Sequence, residues 1–481
     1  MPADAHVYDL VVIGAGPAGV AAAETAALFG KTVAIVERHP CVGGAAVNTG
    51  TIPSKTLRET ALALAGLRSR SLYGVDLSLR RGATVDELLH HEREVTTTEA
   101  AQMRRRIDRY GVTVVQGTGS FLDPHTIQVV HPTPPGGVTR LRGEKVVIAI
   151  GSQPSRPPQF PFEHNRVHDS DELLYLPAVP RCLAVIGAGV IGSEYACMFA
   201  ALGTRVHLID GRDTLLPFLD PDLSKALVAA MEHLGVTFWW KESVKECDAP
   251  QTGEITLKLA SGEEVNADQV LVCAGRTSAT GALNPQAAGI GLSSRGLIPV
   301  DEHFRTVVPY VYAVGDVIGF PALASTSAEQ GRVAACHMFG SNAKEALAKY
   351  LPAGIYTIPE VSAVGLTEPQ AKEKGIDYVV GRASYDENPR GKIIGDRAGF
   401  LKLIFRRENM ELLGVHVIGE QATELVHIGL TALMTGGGAK MFLDTCFNYP
   451  TLGDLYKLAT HDALLKRTKE TFTPPAREVV T

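Results

Sequence analysis

Two segments of the chain carry the same spacing of glycines followed by an acid. In YDLVVIGAGPAGVAAAETAALFGKTVAIVE, Gly14, Gly16 and Gly19 follow an apolar run, and Glu37 stands 23 residues after Gly14. In CLAVIGAGVIGSEYACMFAALGTRVHLID, Gly187, Gly189 and Gly192 repeat the spacing, and Asp210 again stands 23 residues after the first glycine. The chemistry that calls for these residue types is capture of a dinucleotide. The first glycine permits a tight turn, the second lets the backbone approach a pyrophosphate, and the third lets the helix lie close to the strand. Free N–H groups at the positive end of the helix then face the phosphates, and the acid accepts hydrogen bonds from an adenosine ribose. One such glycine motif is a weak signal; strand, helix and terminal acid in register, twice, make a strong one. The competing reading, two βαβ turns that bind nothing, leaves each strand-end acid with no packing purpose.

Two nucleotide sites in one chain imply electron transfer between nucleotides, with a flavin expected in one of them. Two shorter segments assign that flavin to the first copy. KVVIAIGSQPSRPP is a strand ending in a turn at Gly151, and VYAVGDVIG is a strand ending at Asp316, whose carboxylate suits a sugar-alcohol hydroxyl. A helix is expected from about Ser325, its N-terminus aimed at the flavin. A third segment, GGAAVNTGTIPSKTLRE from Gly43 to Glu59, has the glycines, proline and lysine of a redox helix but no sulfur. Ala46 and Thr51 stand where a thiol pair would be expected.

These residues need a large α/β scaffold. At 481 residues the chain is too long for one comfortable core, so two to four domains are expected. Its 48 Gly and 28 Pro, with 45% hydrophobic and 20% charged residues, describe a folded, loop-rich α/β protein. A net charge of −6 gives no support for a nucleic-acid or anionic-membrane partner. The N-terminus lacks the pattern of a secretory signal. The longest apolar segment is broken by Gly, Pro and Glu24, so it reads as buried strand and helix, not a membrane span. Seven dispersed cysteines without CxxC spacing argue against a disulfide framework and suit a reducing compartment; a cytoplasmic location is expected. No HxH or HExxH suggests a metal, and none is expected; His90 and His91 read as a solvated helix face.

GAGPAG with Glu37, AIGS at Ala149–Ser152, AVGD ending at Asp316, GAGVIG with Asp210 and AGR at Ala274–Arg276 together resemble the pyridine nucleotide–disulfide oxidoreductase family. That family includes dihydrolipoamide dehydrogenase and glutathione reductase, and the resemblance runs from Tyr8 to roughly Lys469. It implies a glutathione-reductase-like α/β fold: two Rossmann-like domains, for FAD and NAD(P), and a C-terminal α+β dimerisation domain. The implied boundaries are 1–155 with 285–352 for FAD, 156–284 for NAD(P), and 353–481 for the interface. The implied flavin set is Gly14, Gly16, Gly19, Glu37, Gly44, Thr51, Lys55, Gly119, Gly151 and Asp316. The implied nicotinamide-nucleotide set is Gly187, Gly189, Gly192, Asp210, Arg212, Gly275 and Arg276. One non-covalent FAD per chain, NAD(H) and NADP(H) as substrates, and a homodimer or a larger homo-oligomer follow from the same resemblance.

The chain departs from the disulfide members at two places. Their two cysteines, five positions apart before IPSK, correspond here to Ala46 and Thr51. Their His before Pro corresponds to Tyr449 in FNYPTLGD, with Asp454 in place of their Glu. Imidazole titrates near neutrality and a phenol does not, so Tyr449 is a poor proton shuttle for thiol exchange. Both changes remove the dithiol half-reaction and leave hydride exchange between nicotinamide and flavin, which the protein only has to position. NTGTIPSKTLRE and FNYPT together resemble the transhydrogenase branch of the family, which passes reducing equivalents between NADPH and NAD through FAD. A ping-pong scheme at one nicotinamide site is expected. The alternatives are an NAD(P)H reductase serving a quinone or another small acceptor, dihydrolipoamide dehydrogenase, and a redox-sensing flavoprotein without catalytic activity.

By the same resemblance Lys55 lies near flavin N5 and pairs with Glu194, where a cation would stabilise the reduced ring; a plain structural ion pair is the competing role. Val190 occupies the place where some members carry an aromatic gate, so no gate is expected. Thr51 either fills the lost cysteine's volume, caps the helix or hydrogen-bonds the flavin. Tyr449 either contacts the active site or packs at the dimer seam. Asp210 favours a ribose 2′-hydroxyl, while Arg212, two residues on, has the reach and charge for a 2′-phosphate.

Overall fold

The computed structural model describes residues 6–65, 85–134, 136–173, 176, 178–319 and 321–471. The two glycine-marked segments fold as two copies of one unit. His6–Ile13, Pro17–Leu28 and Val33–Glu37 form strand, helix, strand, and Cys182–Ile186, Val190–Ala201 and Arg205–Asp210 repeat them. Apolar runs buried on both faces make parallel central strands: Leu10 to Ile13 and Leu183 to Val185 are at most 3% exposed.

The first sheet has seven strands. Thr113–Gln116, Val33–Glu37, His6–Ile13 and Val138–Ile148 lie side by side in parallel, and Thr126–Val130 and Thr118–Asp123 continue the sheet antiparallel. Val311–Ala313 returns from far along the chain to pair in parallel with Val138–Ile148, bringing Asp316 to the same strand ends as Gly14. The second sheet has five parallel strands, with Val236–Trp240, Arg205–Asp210, Cys182–Ile186, Gln269–Val272 and Val167–Asp169 in that order. A two-stranded antiparallel ribbon, Ser152–Pro154 with Arg276–Ser278, carries the chain between the two units. The C-terminal part is a five-stranded antiparallel sheet covered by helices Ala422–Met434 and Leu455–Thr471.

Small residues let two helices approach one another closely. Helix Ala324–Met338, which starts one residue before the position expected, packs on Pro17–Leu28 through Gly331. A Cβ at Gly331 would lie 2.2 Å from Ala18 O. Helix Thr51–Leu64 begins with Gly50 as its cap and no side-chain cap bond, so the capping role considered for Thr51 is not the one it has. No helix among the described residues is long and apolar enough to cross a membrane. All seven cysteines are free; Cys41 and Cys446 are exposed and the others buried or half-buried. His90 and His91 are exposed on the Val85–Arg109 helix, as their polar surroundings suggest.

Candidate active site

The strand ends of the first unit open into one cleft. Gly14, Gly16, Glu37, Gly44, Thr51, Gly119, Gly151 and Asp316, from five separate segments, all line it. Gly19 lies behind that surface and acts on packing: a Cβ there would sit 2.0 Å from Gly14 O. Gly192 has the same role in the second unit, at 2.0 Å from Gly187 O.

The middle glycines behave differently. Gly16 and Gly189 have φ of −76° and −77° with extended ψ, which any residue adopts. A Cβ at Gly189 would meet nothing within 4 Å, and one at Gly16 only Gly44 Cα at 3.8 Å. Neither backbone strain nor contact within the protein explains a glycine at these two positions. Both stand at a helix N-terminus, where free N–H groups attract a phosphate.

The two acids are buried, Glu37 at 6% and Asp210 at 8% exposure. Each ties its own glycine loop to the strand end. Glu37 accepts from the N–H of Ala15 at 2.7 Å and of His39 at 2.7 Å. Asp210 accepts from the N–H of Ala188 at 2.6 Å and of Arg212 at 2.8 Å. The expectation that a strand-end acid has no packing purpose is therefore corrected: both satisfy buried N–H groups that a shorter or neutral residue would leave unpaired.

Arg212 adds a difference between the two copies. Its Nε and Nη2 reach Asp210 Oδ1 and Oδ2 at 2.8 and 2.7 Å, a fork on the carboxylate. Burial alone would push the Asp210 carboxyl up; the hydrogen bonds from Arg212 and Ala188 outweigh it and hold the group below its ordinary value. With the backbone bonds, each carboxylate oxygen accepts two hydrogen bonds. Arg212 must move aside before a ribose hydroxyl can take its place.

Lys55 is one turn beyond Thr51 on the Thr51–Leu64 helix, so both project from the same face. Its Nζ donates to Glu194 Oε2 at 2.7 Å and to Ser54 Oγ at 3.3 Å. Glu194 lies on the helix of the second unit, so the pair spans the two units. Thr51 is exposed to the cleft, and Ala46 lies on its lining.

Asp171 had no sequence signal, and it joins Ser152, Arg276 and Asp316 in one chain of contacts. Ser152 Oγ donates to Asp316 Oδ2 at 2.8 Å and accepts from Arg276 Nε at 2.8 Å. Arg276 also reaches Asp171 Oδ1 at 3.2 Å, and Asp171 itself lines the cleft. Arg276 thus sits at the ribbon between the units, while Gly275 beside it takes a φ of 94°. Tyr449 is not brought to the cleft of its own chain; it stands 76% exposed on the C-terminal part, with Asp454 in the short helical turn Leu452–Asp454. Away from the cleft, Asp220, Asp222 and Glu368 converge, and the ammonium of buried Lys402 occupies their centre.

Paired glycine cradles on two Rossmann-like units, joined by a ribbon and followed by an antiparallel sheet, define a class of nucleotide-dependent oxidoreductase. Residues 8–331 match the pyridine nucleotide-disulphide oxidoreductase family, and residues 351–460 match that family's dimerisation domain. The chain belongs to this family. It is 46% identical over 459 residues to the soluble pyridine nucleotide transhydrogenase of Mycobacterium bovis, covering 95% of this chain and 97% of that one. The protein of the same name from Pseudomonas putida is 41% identical, with 95% and 98% covered. Among solved structures, the HOCl-induced flavoprotein disulfide reductase RclA from Escherichia coli, as its Cu(II) complex, superposes with a TM-score of 0.85 at 26% identity. That match covers 95% of this chain and 99% of RclA.

Proposed function

We propose that the protein is an FAD-dependent NAD(P) transhydrogenase, exchanging reducing equivalents between NADPH and NAD by a ping-pong scheme at one nicotinamide site. The observation that carries this is the cleft lined by Gly14, Gly16, Gly44 and Asp316, in which Ala46 and Thr51 stand where a thiol pair would be expected. Without sulfur there, dihydrolipoamide would meet no protein disulfide to reduce. The 46% identical relative named as a soluble pyridine nucleotide transhydrogenase supports the same reading.

Bound FAD, one non-covalent molecule per chain, would supply the hydride acceptor and donor. The protein's part is binding and electrostatics. Gly14, Gly16, Gly44 and the Pro17–Leu28 helix N-terminus would hold the pyrophosphate, Glu37 the adenosine end, and Asp316 the ribityl chain. A Cβ at Gly119 would press on Val36 Cγ1 at 3.1 Å and Ile13 Cγ2 at 3.2 Å, and Gly151 takes a left-handed φ of 68°. Lys55, fixed by Glu194, would supply a positive charge that favours the reduced flavin. Gly187, Gly189 and Gly192 would cradle the nicotinamide nucleotide, with Asp210 and Arg212 at its ribose and Gly275 and Arg276 at the joint between units. The domain scheme is 1–155 with 285–352, 156–284, and 353–481. The dimerisation-domain match supports a homodimer, and in it Tyr449 would approach the partner's flavin site.

The test is an anaerobic titration of the purified yellow protein with NADPH. One equivalent per FAD should complete reduction, with no long-wavelength charge-transfer band. Storage of a second equivalent would contradict the proposal, because it demands a thiol pair.

A further inference from the structure

Tyr356 touches both members of the Lys55–Glu194 pair. Its ring centroid lies 4.9 Å from Lys55 Nζ, and its backbone N–H donates to Glu194 Oε1 at 2.9 Å. Glu194 is thereby held at both oxygens, one by Lys55 and one by the Tyr356 backbone. The residue sits at the entry to the C-terminal sheet, so three parts of the chain meet at one ammonium group.

The segment around Tyr356 is itself tied down. Thr357 O accepts from Arg58 Nε at 2.9 Å, and Arg58 Nη1 lies 3.2 Å from Glu360 Oε1. Glu360 Oε2 accepts from Thr423 Oγ1 at 2.8 Å. Arg58 and Lys55 are three residues apart on one helix, so they contact the Tyr356–Glu360 segment side by side. Arg58, bonded to Thr357 and paired with Glu360, thus holds the segment that carries Tyr356 against the helix of Lys55.

A lysine has a flexible four-carbon stem, and one carboxylate fixes its distance better than its direction. The Lys55 side chain is 26% exposed, so it has somewhere else to go. An aromatic face attracts the cation without consuming an N–H. Of the three ammonium donors, one goes to Glu194 and one to Ser54, and the ring leaves the third free for a ligand. We propose that Tyr356 is a positioning residue for Lys55, its ring fixing where the positive charge stands relative to the flavin. This rests on the reading that Lys55 faces the flavin.

The test compares Tyr356→Leu, Tyr356→Phe and Lys55→Met as holoenzymes, by flavin midpoint potential against a reference dye and by rapid reduction with NADPH. Tyr356→Leu should make the potential more negative and slow reduction at saturating NADPH about fivefold, the scale of one partly desolvated cation–π contact. KM for NADPH should not move. Tyr356→Phe should restore the potential, and Lys55→Met should shift it in the same direction as Tyr356→Leu and further. If Tyr356→Leu does not fold, Tyr356→Met, similar in reach and without a ring, carries the same expectation. A parental potential in Tyr356→Leu beside a shifted one in Lys55→Met would overturn the role of Tyr356 and leave Lys55 at the flavin. An equal shift in Tyr356→Phe would also overturn it, since the hydroxyl and not the ring would then matter. No shift in Lys55→Met would sink both readings.

Discussion

Glycines in one motif have opposite tolerances, and the difference separates folding from binding. A methyl group at Gly19 would overlap Gly14 O, so Gly19→Ala should cost about 1–3 kcal/mol or more in stability. A methyl at Gly16 meets only Gly44 Cα at contact distance, so Gly16→Ala should fold with a near-parental melting temperature for the apoprotein. It should nevertheless bind FAD far more weakly. Thermal denaturation and FAD titration of the two apoproteins check both statements; equal FAD affinity in Gly16→Ala and the parent would remove the argument for a pyrophosphate there. The nucleotide selector belongs to the same scale. Arg212→Ala frees Asp210 for a ribose hydroxyl and removes the base proposed for a 2′-phosphate, so KM for NADPH should rise while KM for NAD stays level or falls. Asp210→Ala strips the Ala188 N–H of its buried partner and should cost about 1–3 kcal/mol, with NAD suffering most. Steady-state constants for all four nucleotides decide the matter, and equal losses in both variants would place the selector elsewhere.

At the scale of elements, the second unit is clamped to the C-terminal sheet by charge. Asp220 caps helix Pro221–His233 and is fully buried, and Lys402 from strand Phe400–Arg406 meets it at 2.7 Å. Lys402 also meets Asp222 at 2.8 Å and Glu368. Burial would raise the Asp220 carboxyl, but the bonds from Lys402 and the Glu368 N–H prevail and leave it below its ordinary value. A depressed carboxyl contributes stability that is present above its unfolded value, about 3.9, and is lost as pH falls through the folded one. Lys402→Met should therefore lower stability at neutral pH by about 3–5 kcal/mol, because a buried carboxylate loses its partner. Its deficit should shrink as pH falls below about 4, where the parent loses the same contribution. Denaturant unfolding across that range checks the sign; a deficit that grows on acidification would contradict it.

The elements also show what sequence could and could not reveal. The two glycine cradles, Glu37, Asp210 and Asp316 are legible because strand, turn and helix periods fix them within some two dozen residues. The Lys55–Glu194 pair was reached only through resemblance. Ser152 on Asp316, Tyr356 under Lys55, and Lys402 on Asp220 join residues more than 150 positions apart. No local period encodes such contacts; they exist only once the sheets are assembled. The purpose of the strand-end acids was misread for a related reason. Their N–H partners lie in the glycine loops, and only the folded turn brings those donors within reach.

For the molecule as a whole, the family fold is kept while its dithiol chemistry is not. The surface position of Tyr449 makes sense if a second copy covers it, so light scattering should give about twice the chain mass. A fully active monomer would contradict the shared site. The central claim is that this scaffold moves hydride between two nicotinamide nucleotides and nothing else is needed. Stopped-flow mixing tests it most directly: the enzyme is reduced anaerobically with one equivalent of NADPH, then mixed separately with NAD, lipoamide and a soluble quinone. The oxidised flavin spectrum should return rapidly with NAD, at a rate matching turnover, and lipoamide should give no reaction. Reoxidation by the quinone alone, with NAD inert, would contradict it.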